Sequence, residues 1–418
     1  MLLLLACSTK PETPPAPASR PTIVVVVLDT VRADHMGACG YERPTTPVFD
    51  ELARTASFSC TAISSGDWTL PAHASLFTGK PTSVHGAHSL PEGNELLGLM
   101  RIRPLGPTLP TLAEVLGEQG YQTIALSGNP VVAAETGLFR GFDQSKSAGV
   151  MGELWGRSLV AALEESLAAA DDRPLFLFAN IADAHQPWQP IPESFPWLPA
   201  REGHRPLMPE VYTGRFDEEE LAEHFAHVTD VYDFGIWRAD LVMGQLLATL
   251  ETAGRTDDLR LIVLSDHGEF LGEHGLVDHG RYLWEPNQRV AVLTTDSVKI
   301  PNDLPTLHVF DLAQGGLPEE LAPAETVAYP DLLWSTLSKG RYGVHTSVAS
   351  WQGSTKLIWQ DGSCAKYDLA ADPGEIVPLV DDCSSIQHLV ERAATSAEAP
   401  VEMDPALLER LRAAGYLE

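Results

Sequence analysis

The chain has 418 residues, of which 44% are hydrophobic and 20% charged, as in folded proteins large enough for more than one core. It carries 28 basic and 57 acidic residues, which gives a formal net charge of -29. So acidic a surface repels phosphate backbones, and we expect no nucleic acid among its partners. An anionic substrate would need local positive charge from a metal ion, histidines or a few arginines.

The first twenty residues predict an export signal and a spacer. An apolar run from Met1 to Ala6 ends at Cys7, and a proline-rich segment follows. This arrangement resembles the lipobox of bacterial lipoproteins, so segment 1–20 is interpreted as a signal peptide with a semi-rigid linker. The run is short and lacks a basic start, and a ragged terminus with a chance cysteine stays open. On the first interpretation the protein is a periplasmic or surface lipoprotein of the bacterial envelope that contacts the membrane only through Cys7.

Four further cysteines, Cys39, Cys60, Cys364 and Cys383, form no C-x-x-C pair, so neither a zinc ribbon nor a redox dithiol is indicated. Their even number permits disulfides in an exported chain, with Cys364 to Cys383 the preferred pairing. Isolated buried thiols are the alternative.

Predicted strands and helices alternate through the first 265 residues. The β-branched run Ile23–Leu28 predicts a strand that is buried on both faces. In chain order there follow a helix at Thr46–Ala56, a strand at Ser57–Ile63, a helix at Thr108–Gln119, a strand at Tyr121–Leu126, a helix at Leu159–Ala169, a strand at Leu175–Ile181, a helix at Glu218–Thr252 and a strand at Leu259–Leu264. This order predicts an α/β fold, in which a large mainly parallel sheet is sandwiched by helices and binds ligands beyond the carboxyl ends of its strands.

From about residue 330 the pattern changes to short strands separated by glycine-containing turns. They are predicted at Ser347–Trp351, Thr355–Trp359 and Ala365–Leu369, and a terminal helix is predicted around Leu411. We therefore expect a small C-terminal antiparallel α+β subdomain over residues 326–418, packed on a catalytic α/β domain over residues 21–325.

Carboxylates follow two of the predicted central strands. Asp29 comes directly after the first, and Asp266 lies just beyond the strand at Leu259–Leu264, with His267 beside it. Because a buried carboxylate is costly unless a cation or hydrogen-bond donors compensate it, we interpret these residues as part of a metal site.

A threonine occupies the start of a predicted helix between these positions. Thr69 is expected to cap this helix, which has Pro71 in its first turn and Gly79 at its end. A hydroxyl there faces the positive end of the helix dipole, where an anionic ester would bind. Taken alone, a structural capping threonine is the simpler interpretation.

Ordered motifs over nearly the whole chain resemble those of the sulfatase family, in the alkaline phosphatase superfamily. In chain order they are Asp29-Thr30-Val31-Arg32-Ala33-Asp34-His35, the Thr69 segment, Asp183-Ala184-His185-Gln186-Pro187-Trp188, Ser265-Asp266-His267-Gly268-Glu269, Gly272-Glu273-His274-Gly275, Lys356-Leu357-Ile358, Tyr367-Asp368-Leu369, Asp372-Pro373-Gly374-Glu375 and Leu411-Arg412-Ala413-Ala414-Gly415-Tyr416-Leu417. The resemblance implies an alkaline phosphatase-like fold and a metal-dependent hydrolase of small anionic esters.

The resemblance also implies a metal site. Asp29, Asp266 and His267 would bind a divalent ion. Thr69 stands at the nucleophile position and would also contact the ion.

Three histidines receive catalytic roles from the same resemblance. His73 stands where sulfatases usually carry the arginine of C-x-P-S-R, His185 matches the anion-binding histidine, and His279 lies near a late basic residue that contacts the ester. Any of them could instead be packed structurally. For other side chains a structural role is the preferred interpretation, namely His85, His88, His274 and, in an ion pair, Arg32.

Two departures from the family pattern shape the expected chemistry. Sulfatases oxidise a cysteine or serine at the nucleophile position to formylglycine, an aldehyde that Thr69 cannot form because its β-carbon carries a methyl group. Thr30 replaces the usual second aspartate and His267 the common asparagine. The resulting mixed oxygen and nitrogen ligand set favours Mn²⁺, Zn²⁺ or Mg²⁺ over Ca²⁺.

We therefore expect a hydrolase without formylglycine that cleaves a phosphate ester, or less readily a sulfate ester, with Thr69 as nucleophile. One alternative is a transferase of phosphoryl headgroups in the bacterial envelope, although such enzymes usually carry membrane helices. Another is a non-catalytic, metal-binding lipoprotein. A second ion held by Asp183 and His185 is a further possibility within the hydrolase interpretation.

Overall fold

The computed structural model describes residues 20–96, 100–150, 152–188, 192, 194–198, 218–280, 282–330, 345–380 and 382–398. The predicted signal segment with Cys7 and the predicted terminal helix around Leu411 lie outside the described residues.

Strands and helices alternate along most of the described chain. The strands are β1 (Thr22–Leu28), β2 (Ser57–Ile63), β3 (His88–Leu96), β4 (Met100–Arg103), β5 (Gln122–Ser127), β6 (Gln144–Ser147), β7 (Leu175–Ile181), β8 (Leu259–Leu264), β9 (Phe270–Leu271), β10 (Val277–Asp278), β11 (Arg289–Thr294), β12 (Ala324–Ala328), β13 (Ser347–Gln352), β14 (Thr355–Gln360), β15 (Ser363–Asp368) and β16 (Leu379–Val380). The α-helices are α1 (Pro47–Ala53), α2 (Thr69–Thr78), α3 (Thr82–His85), α4 (Leu112–Glu118), α5 (Arg157–Ala168), α6 (Glu218–Thr252), α7 (Glu285–Gln288), α8 (Val309–Ala313) and α9 (Gln387–Glu398).

A seven-stranded sheet with the order β2-β11-β8-β1-β7-β5-β6 forms the centre of the molecule. The strands from β8 to β6 are parallel, and β11 runs antiparallel to both β2 and β8. The mainly parallel sheet predicted from the sequence is therefore confirmed. The antiparallel strand β11 was not predicted, and it separates β2 from the parallel strands.

Strand β1 shows why this sheet is covered on both faces. Val24, Val26 and Leu28 pack into one apolar cluster with side chains of α1, α5 and α6. Val25 and Val27 point the other way, into a second cluster that contains side chains of α2, α4 and α8. Each such side chain contributes roughly 1.5–3 kcal/mol when fully buried, so the run of valines fixes the strand at the centre of the sandwich.

Local contacts move some helix ends from their predicted positions. The helix predicted from Thr108 begins at Leu112, because the Thr111 hydroxyl accepts a hydrogen bond from the backbone N–H of Glu114. The Glu114 carboxylate accepts one from the Thr111 N–H in return. This reciprocal pair ends the preceding loop and starts the helix.

A second, five-stranded antiparallel sheet has the order β12-β13-β14-β15-β16, and α9 packs on it through Leu389 and Ala393, together with Ile386 just before the helix. The small antiparallel part of the predicted fold is confirmed. The division of the chain into domains stays a prediction, and its expected boundary between residues 325 and 326 falls inside β12.

A buried lysine joins this second sheet to the α/β body. Lys356, on β14, has no exposed surface, and its Nζ lies 2.9 Å from Glu285 Oε1 and 2.7 Å from Glu375 Oε1. Glu285, on α7, also accepts a hydrogen bond from Trp351 Nε1 at 2.8 Å and pairs with Arg289. These ion pairs tie β14 to the segment between β10 and β11.

Two disulfides join Cys39 to Cys60 and Cys364 to Cys383. The preferred pairing from the sequence is confirmed, and the other pair was left open there. Within the described ranges, no helix has the length and apolar character needed to cross a bilayer.

Candidate active site

Acidic side chains meet at the carboxyl ends of two neighbouring central strands. Asp29 follows β1, and Asp266 lies just past β8, which pairs with β1 in parallel. Both carboxylates are almost fully buried, at 0% and 2% exposure. The parallel register therefore brings together two residues that are 237 positions apart in the chain.

Asp29 is held by two amide side chains. Its Oδ2 accepts hydrogen bonds of 2.9 Å from Asn129 Nδ2 and of 2.9 Å from Asn180 Nδ2. Its Oδ1 is buried and has no hydrogen-bond donor among the residues that the structure describes. One oxygen is therefore fixed in place while the other remains available to a ligand.

Asp266 is arranged in the same way. Its Oδ1 accepts hydrogen bonds from the backbone N–H groups of Thr30 at 3.1 Å and of His267 at 3.0 Å, while Oδ2 has no donor in the described part of the chain. Burial and the nearby Asp29 carboxylate raise the pKa of Asp266 well above its ordinary value. The two carboxylates repel each other, and a cation between them would remove that repulsion.

His267 presents a free nitrogen lone pair to the same point. Its Nδ1 lies 2.9 Å from the Gly268 carbonyl oxygen and donates to it, so the lone pair is on Nε2, 3.3 Å from Asp266 Oδ2. Burial lowers the pKa of His267 well below its ordinary value, which keeps the ring neutral. A neutral imidazole with one nitrogen fixed by a carbonyl is the form that binds metal ions.

These three side chains fit a divalent ion. One ligand atom from each of Asp29, Asp266 and His267 lies within 4.8 Å of the others. The two free carboxylate oxygens and the imidazole nitrogen make up the mixed donor set that suits Zn²⁺ or Mn²⁺.

Thr69 lies beside these ligands, although not as the predicted helix cap. Trp68 is the N-cap of α2, and Thr69 is the first residue within the helix. Its Oγ1 accepts a hydrogen bond of 3.3 Å from Asn129 Nδ2 and lies 3.4 Å from His267 Nε2. The shift by one residue frees the hydroxyl from capping and directs it at the candidate metal site.

His73 lies one turn further along α2 and is fully buried. Its Nδ1 donates to the Thr69 carbonyl oxygen at 2.8 Å, and its Nε2 accepts from Asn180 Nδ2 at 3.3 Å. Burial lowers the pKa of His73, so the ring is neutral. With both nitrogens engaged, His73 contacts Thr69 and Asn180. Its catalytic role at the position of the family's arginine stays a prediction.

The other two predicted histidines form a row with His267. The ring centroids of His267 and His279 are 4.4 Å apart, and those of His279 and His185 are 5.1 Å apart. His185 Nδ1 donates to the Gln186 carbonyl oxygen at 2.6 Å. The structure thus brings His185 and His279 into one row with the candidate ligand His267.

His279 lies between two carboxylates, with its Nδ1 3.1 Å from Asp278 Oδ1 and 3.5 Å from Glu269 Oε1. Burial by itself lowers the pKa of His279, but the Asp278 and Glu269 charges outweigh it and raise the pKa to about 9. His279 therefore carries a proton on both ring nitrogens, and is a cation, at neutral pH when no metal ion takes the place of the Nδ1 proton.

Asp183 has other partners than the second ion considered from the sequence. Its Oδ1 binds Arg238 at 2.7 Å and its Oδ2 accepts from the Gly156 N–H at 3.1 Å. Both carboxylate oxygens are occupied, so Asp183 positions α6 and the start of α5.

The side chains expected to be structural pack as predicted. Arg32 pairs with Asp34 and Glu273. The rings of His88 and His274 stack on Tyr329 and Trp284. His85 bonds Ser75 Oγ through Nε2, and its Nδ1 accepts from the Ala87 N–H.

Sequence reasoning missed Asn129 and Asn180. Asn180 is the second-last residue of β7, and Asn129 lies two residues after β5, so both are at the same edge of the sheet as Asp29. The strand-end rule that selected the aspartates would have found them, had it been applied to amides as well as to charged side chains.

Comparison with known proteins agrees with this geometry. The profile of the family described as Sulfatase matches residues 21–336. An ulvan-active sulfatase of Formosa agariphila is 25% identical over 326 residues, which are 69% of this chain and 59% of that protein. The chain thus spans less than two thirds of that relative. An arylsulfatase of Clostridium perfringens is 20% identical over 87% of this chain and 90% of its own length.

Solved structures share the fold. A 2-O GAG sulfatase has a TM-score of 0.64 at 16% identity, over 93% of this chain and 96% of that one. The phosphonate monoester hydrolase of Agrobacterium radiobacter has a TM-score of 0.63 at 16% identity, over 95% of this chain and 96% of that one. These neighbours carry the alkaline phosphatase-like fold expected from the sequence. Because the family profile covers most of its length, the chain belongs to the sulfatase family of hydrolases.

Proposed function

We propose that the protein hydrolyses phosphate esters with Thr69 as the nucleophile. A divalent ion held by Asp29, Asp266 and His267 would assist the reaction. The observation that carries this proposal is the position of Thr69 Oγ1, which lies 3.4 Å from His267 Nε2 on a residue that is only 2% exposed. Because this hydroxyl is shielded from solvent and lies next to a candidate metal ligand, it is placed to react rather than to be hydrated.

The residue type at position 69 favours phosphorus over sulfur as the centre that is attacked. Threonine cannot become formylglycine, so the family's route to sulfate esters through an aldehyde hydrate is closed. An unmodified hydroxyl can form a phosphothreonine, which water resolves at phosphorus. A phosphonate monoester hydrolase has the same fold, so the fold is compatible with a phosphorus ester.

The bound ion would act as a Lewis acid that lowers the pKa of the Thr69 hydroxyl. Asn129 donates to both Asp29 Oδ2 and Thr69 Oγ1, so it fixes the attacking oxygen relative to the metal ligands. The hydroxyl proton passes to solvent as a bond forms between Oγ1 and phosphorus. The bond from phosphorus to the alcohol oxygen breaks, and that oxygen takes up a proton from water.

Water then attacks the phosphothreonine and gives up a proton to solvent. The bond between Oγ1 and phosphorus breaks, Oγ1 takes up a proton, and phosphate leaves. His279 supplies positive charge to the non-bridging oxygens, because its Nδ1 faces Asp278 and Glu269 and its Nε2–H remains a donor. His185 extends this row toward solvent. His73 keeps the start of α2 in place through the Thr69 carbonyl.

The test is turnover of paired aryl phosphate monoesters, aryl phosphate diesters and aryl sulfates by metal-supplemented protein. Sugar phosphates and sugar sulfates belong in the panel, because the names of relatives refer to ulvan and to GAG. Thr69→Ala should abolish phosphoester turnover. The matched control is Thr78→Ala in the last turn of the same helix, where the hydroxyl donates to the Ala74 carbonyl.

Each outcome separates the candidate functions. Phosphoester turnover that disappears in Thr69→Ala and persists in Thr78→Ala supports the proposal. Turnover of sulfates alone would favour the family's usual substrates, and a metal-replete but inert protein would favour a binding role. Transfer of the phosphoryl group to added alcohols in preference to water would favour a transferase.

We also propose that the protein is exported to the bacterial envelope and anchored through a lipid on Cys7. The two disulfides support an oxidising compartment. Expression in a bacterial host should place the protein in the membrane fraction, and Cys7→Ser should release it. Equal recovery of both forms in the soluble cytosolic fraction would contradict this assignment.

A further inference from the structure

A hairpin beyond the active-site strand β8 gathers a second group of ligand-type side chains. Strands β9 and β10 pair antiparallel, with Asp278 opposite Phe270. Glu269 directly precedes β9, and His279 directly follows β10. The hairpin therefore places Glu269 next to both Asp278 and His279.

The separations within this group are those of ligands around one ion. His279 Nδ1 lies 3.1 Å from Asp278 Oδ1 and 3.5 Å from Glu269 Oε1, and one ligand atom of each residue lies within 4.8 Å of the others. Ligand atoms placed about 2.0–2.2 Å from a tetrahedral ion are separated by about 3.3–3.6 Å. The observed 3.5 Å falls within this range and the observed 3.1 Å lies slightly below it, so small side-chain shifts would complete such a site.

Glu269 provides an independent sign of a missing cation. Its side chain has no exposed surface, and neither Oε1 nor Oε2 has a hydrogen-bond partner in the described residues. A single proton on His279 Nδ1 can bond only one oxygen, and the nearer one belongs to Asp278. A buried carboxylate without a donor is costly, whereas a cation shared by three ligands would neutralise it.

We propose that Glu269, Asp278 and His279 Nδ1 bind a second divalent cation. Two carboxylates and one imidazole form a donor set that suits Zn²⁺ or Mn²⁺. Coordination through Nδ1 leaves the His279 Nε2–H free to donate, and the ion then replaces the Nδ1 proton as the source of positive charge.

A cation at this site would neutralise the two carboxylates that lie beside the candidate active site, in a chain with a net charge of -29. The His279 ring lies 4.4 Å, between centroids, from the ring of His267, a candidate ligand of the first ion. Two adjacent cations would favour a dianionic phosphate monoester over a singly charged sulfate ester. This consequence rests on the proposed function, whereas the binding of the second ion does not.

The experiment is a metal count on the full-length protein. Chelator-treated protein is saturated with Mn²⁺ or Zn²⁺, desalted and analysed by mass spectrometry of the elements, with circular dichroism to show that each variant is folded. Wild-type protein should carry two ions per chain. Glu269→Gln and Asp266→Asn should each carry one, and the double variant none.

Two further variants keep the test decisive. Asp278→Asn changes a ligand whose side chain is 12% exposed, so it probes the site even where Glu269→Gln does not fold. Asp143→Asn removes a half-exposed carboxylate that pairs with Arg173, and it should keep both ions. One ion in saturated wild-type protein, or two ions in both Glu269→Gln and Asp278→Asn, would overturn the proposal. A protein that binds two ions and cleaves no phosphate ester would contradict the proposed function alone.

Discussion

The buried lysine between the two sheets offers a direct test of what holds them together. In Lys356→Met, an apolar side chain of similar length replaces a cation that has no exposed surface. Glu285 keeps Arg289 and Trp351 as partners, so the loss falls mainly on Glu375, whose side chain is also fully buried. Removing one partner of a buried ion pair costs about 3–5 kcal/mol, which corresponds to a fall in Tm of roughly 3–6 °C.

Urea unfolding followed by circular dichroism measures this loss. The matched control is Lys146→Met, because Lys146 pairs with Glu165 at 3.4 Å while both side chains are more than half exposed. Such a surface pair contributes about 0–1 kcal/mol. The double variant Lys356→Met with Glu375→Gln should recover about 1–3 kcal/mol, because the uncompensated charge is gone.

The loss should also depend on pH. Burial raises the pKa of Glu375 although Lys356 opposes it, so removing the lysine raises the pKa further. A carboxyl group whose folded pKa is raised stabilises the fold below its unfolded pKa, and this contribution is lost as the pH rises through the folded pKa. The variant should therefore approach wild type as the pH falls toward about 4.5. A loss no larger than that of Lys146→Met, or a double variant no better than the single one, would refute this reasoning.

Three other changes have definite expected outcomes. Asn129→Ala removes the hydrogen-bond donor that Asp29 and Thr69 share, so kcat should fall about 10–100-fold with KM little changed. Steady-state kinetics measures both constants, and an unchanged kcat would contradict the positioning role of Asn129. Burial lowers the pKa of His85 to about 3, so stability that is present above about pH 6.5 should fall by about 2 kcal/mol by pH 5. Urea unfolding should show a weaker pH dependence in His85→Gln, and an identical dependence would exclude His85 as the source. In excess chelator, Asp266→Asn should raise Tm by a few degrees, because it removes the repulsion between this carboxylate and Asp29. With Mn²⁺ or Zn²⁺ present the same variant should lower Tm, because a metal ligand is lost. A lower Tm in both conditions would contradict the repulsion.

The central sheet was predictable because its strands are continuous apolar runs. The β-branched residues of β1 leave no polar face, so both the strand and the carboxylate at its end could be placed from the sequence. Strand β11 was missed, since its direction and its place between β2 and β8 depend on long-range pairing. The sequence contains the capping pair Thr111 and Glu114 of α4. Whether the helix starts near Thr108 or after Thr111 depends on contacts that only the folded structure shows.

Asp29 and Asp266 could be predicted as site residues, because a charged side chain is costly to bury and therefore indicates a binding partner. Asn129 carries no charge, and nothing in its spacing shows that its amide would reach two different residues. The partner of Asp183 is Arg238, 55 residues away on α6, and only the packing of that helix brings the two together. Thr69 was predicted as the N-cap of α2 and is instead its first residue. This shift of one position decides where the hydroxyl points.

All ten residues of α2 are buried, and this constrains how the site can change over evolutionary time. The backbone at position 69 is held by the helix and by the bond from His73 to the Thr69 carbonyl, so exchange of the side chain does not move its β-carbon. Serine lacks the methyl group of threonine, and cysteine also has sulfur in place of the hydroxyl oxygen. A single codon change at this position can therefore replace the attacking group, and allow or forbid its oxidation, while the surrounding ligands stay in register. A rigid support of this kind allows one fold to pass between ester chemistries in single steps.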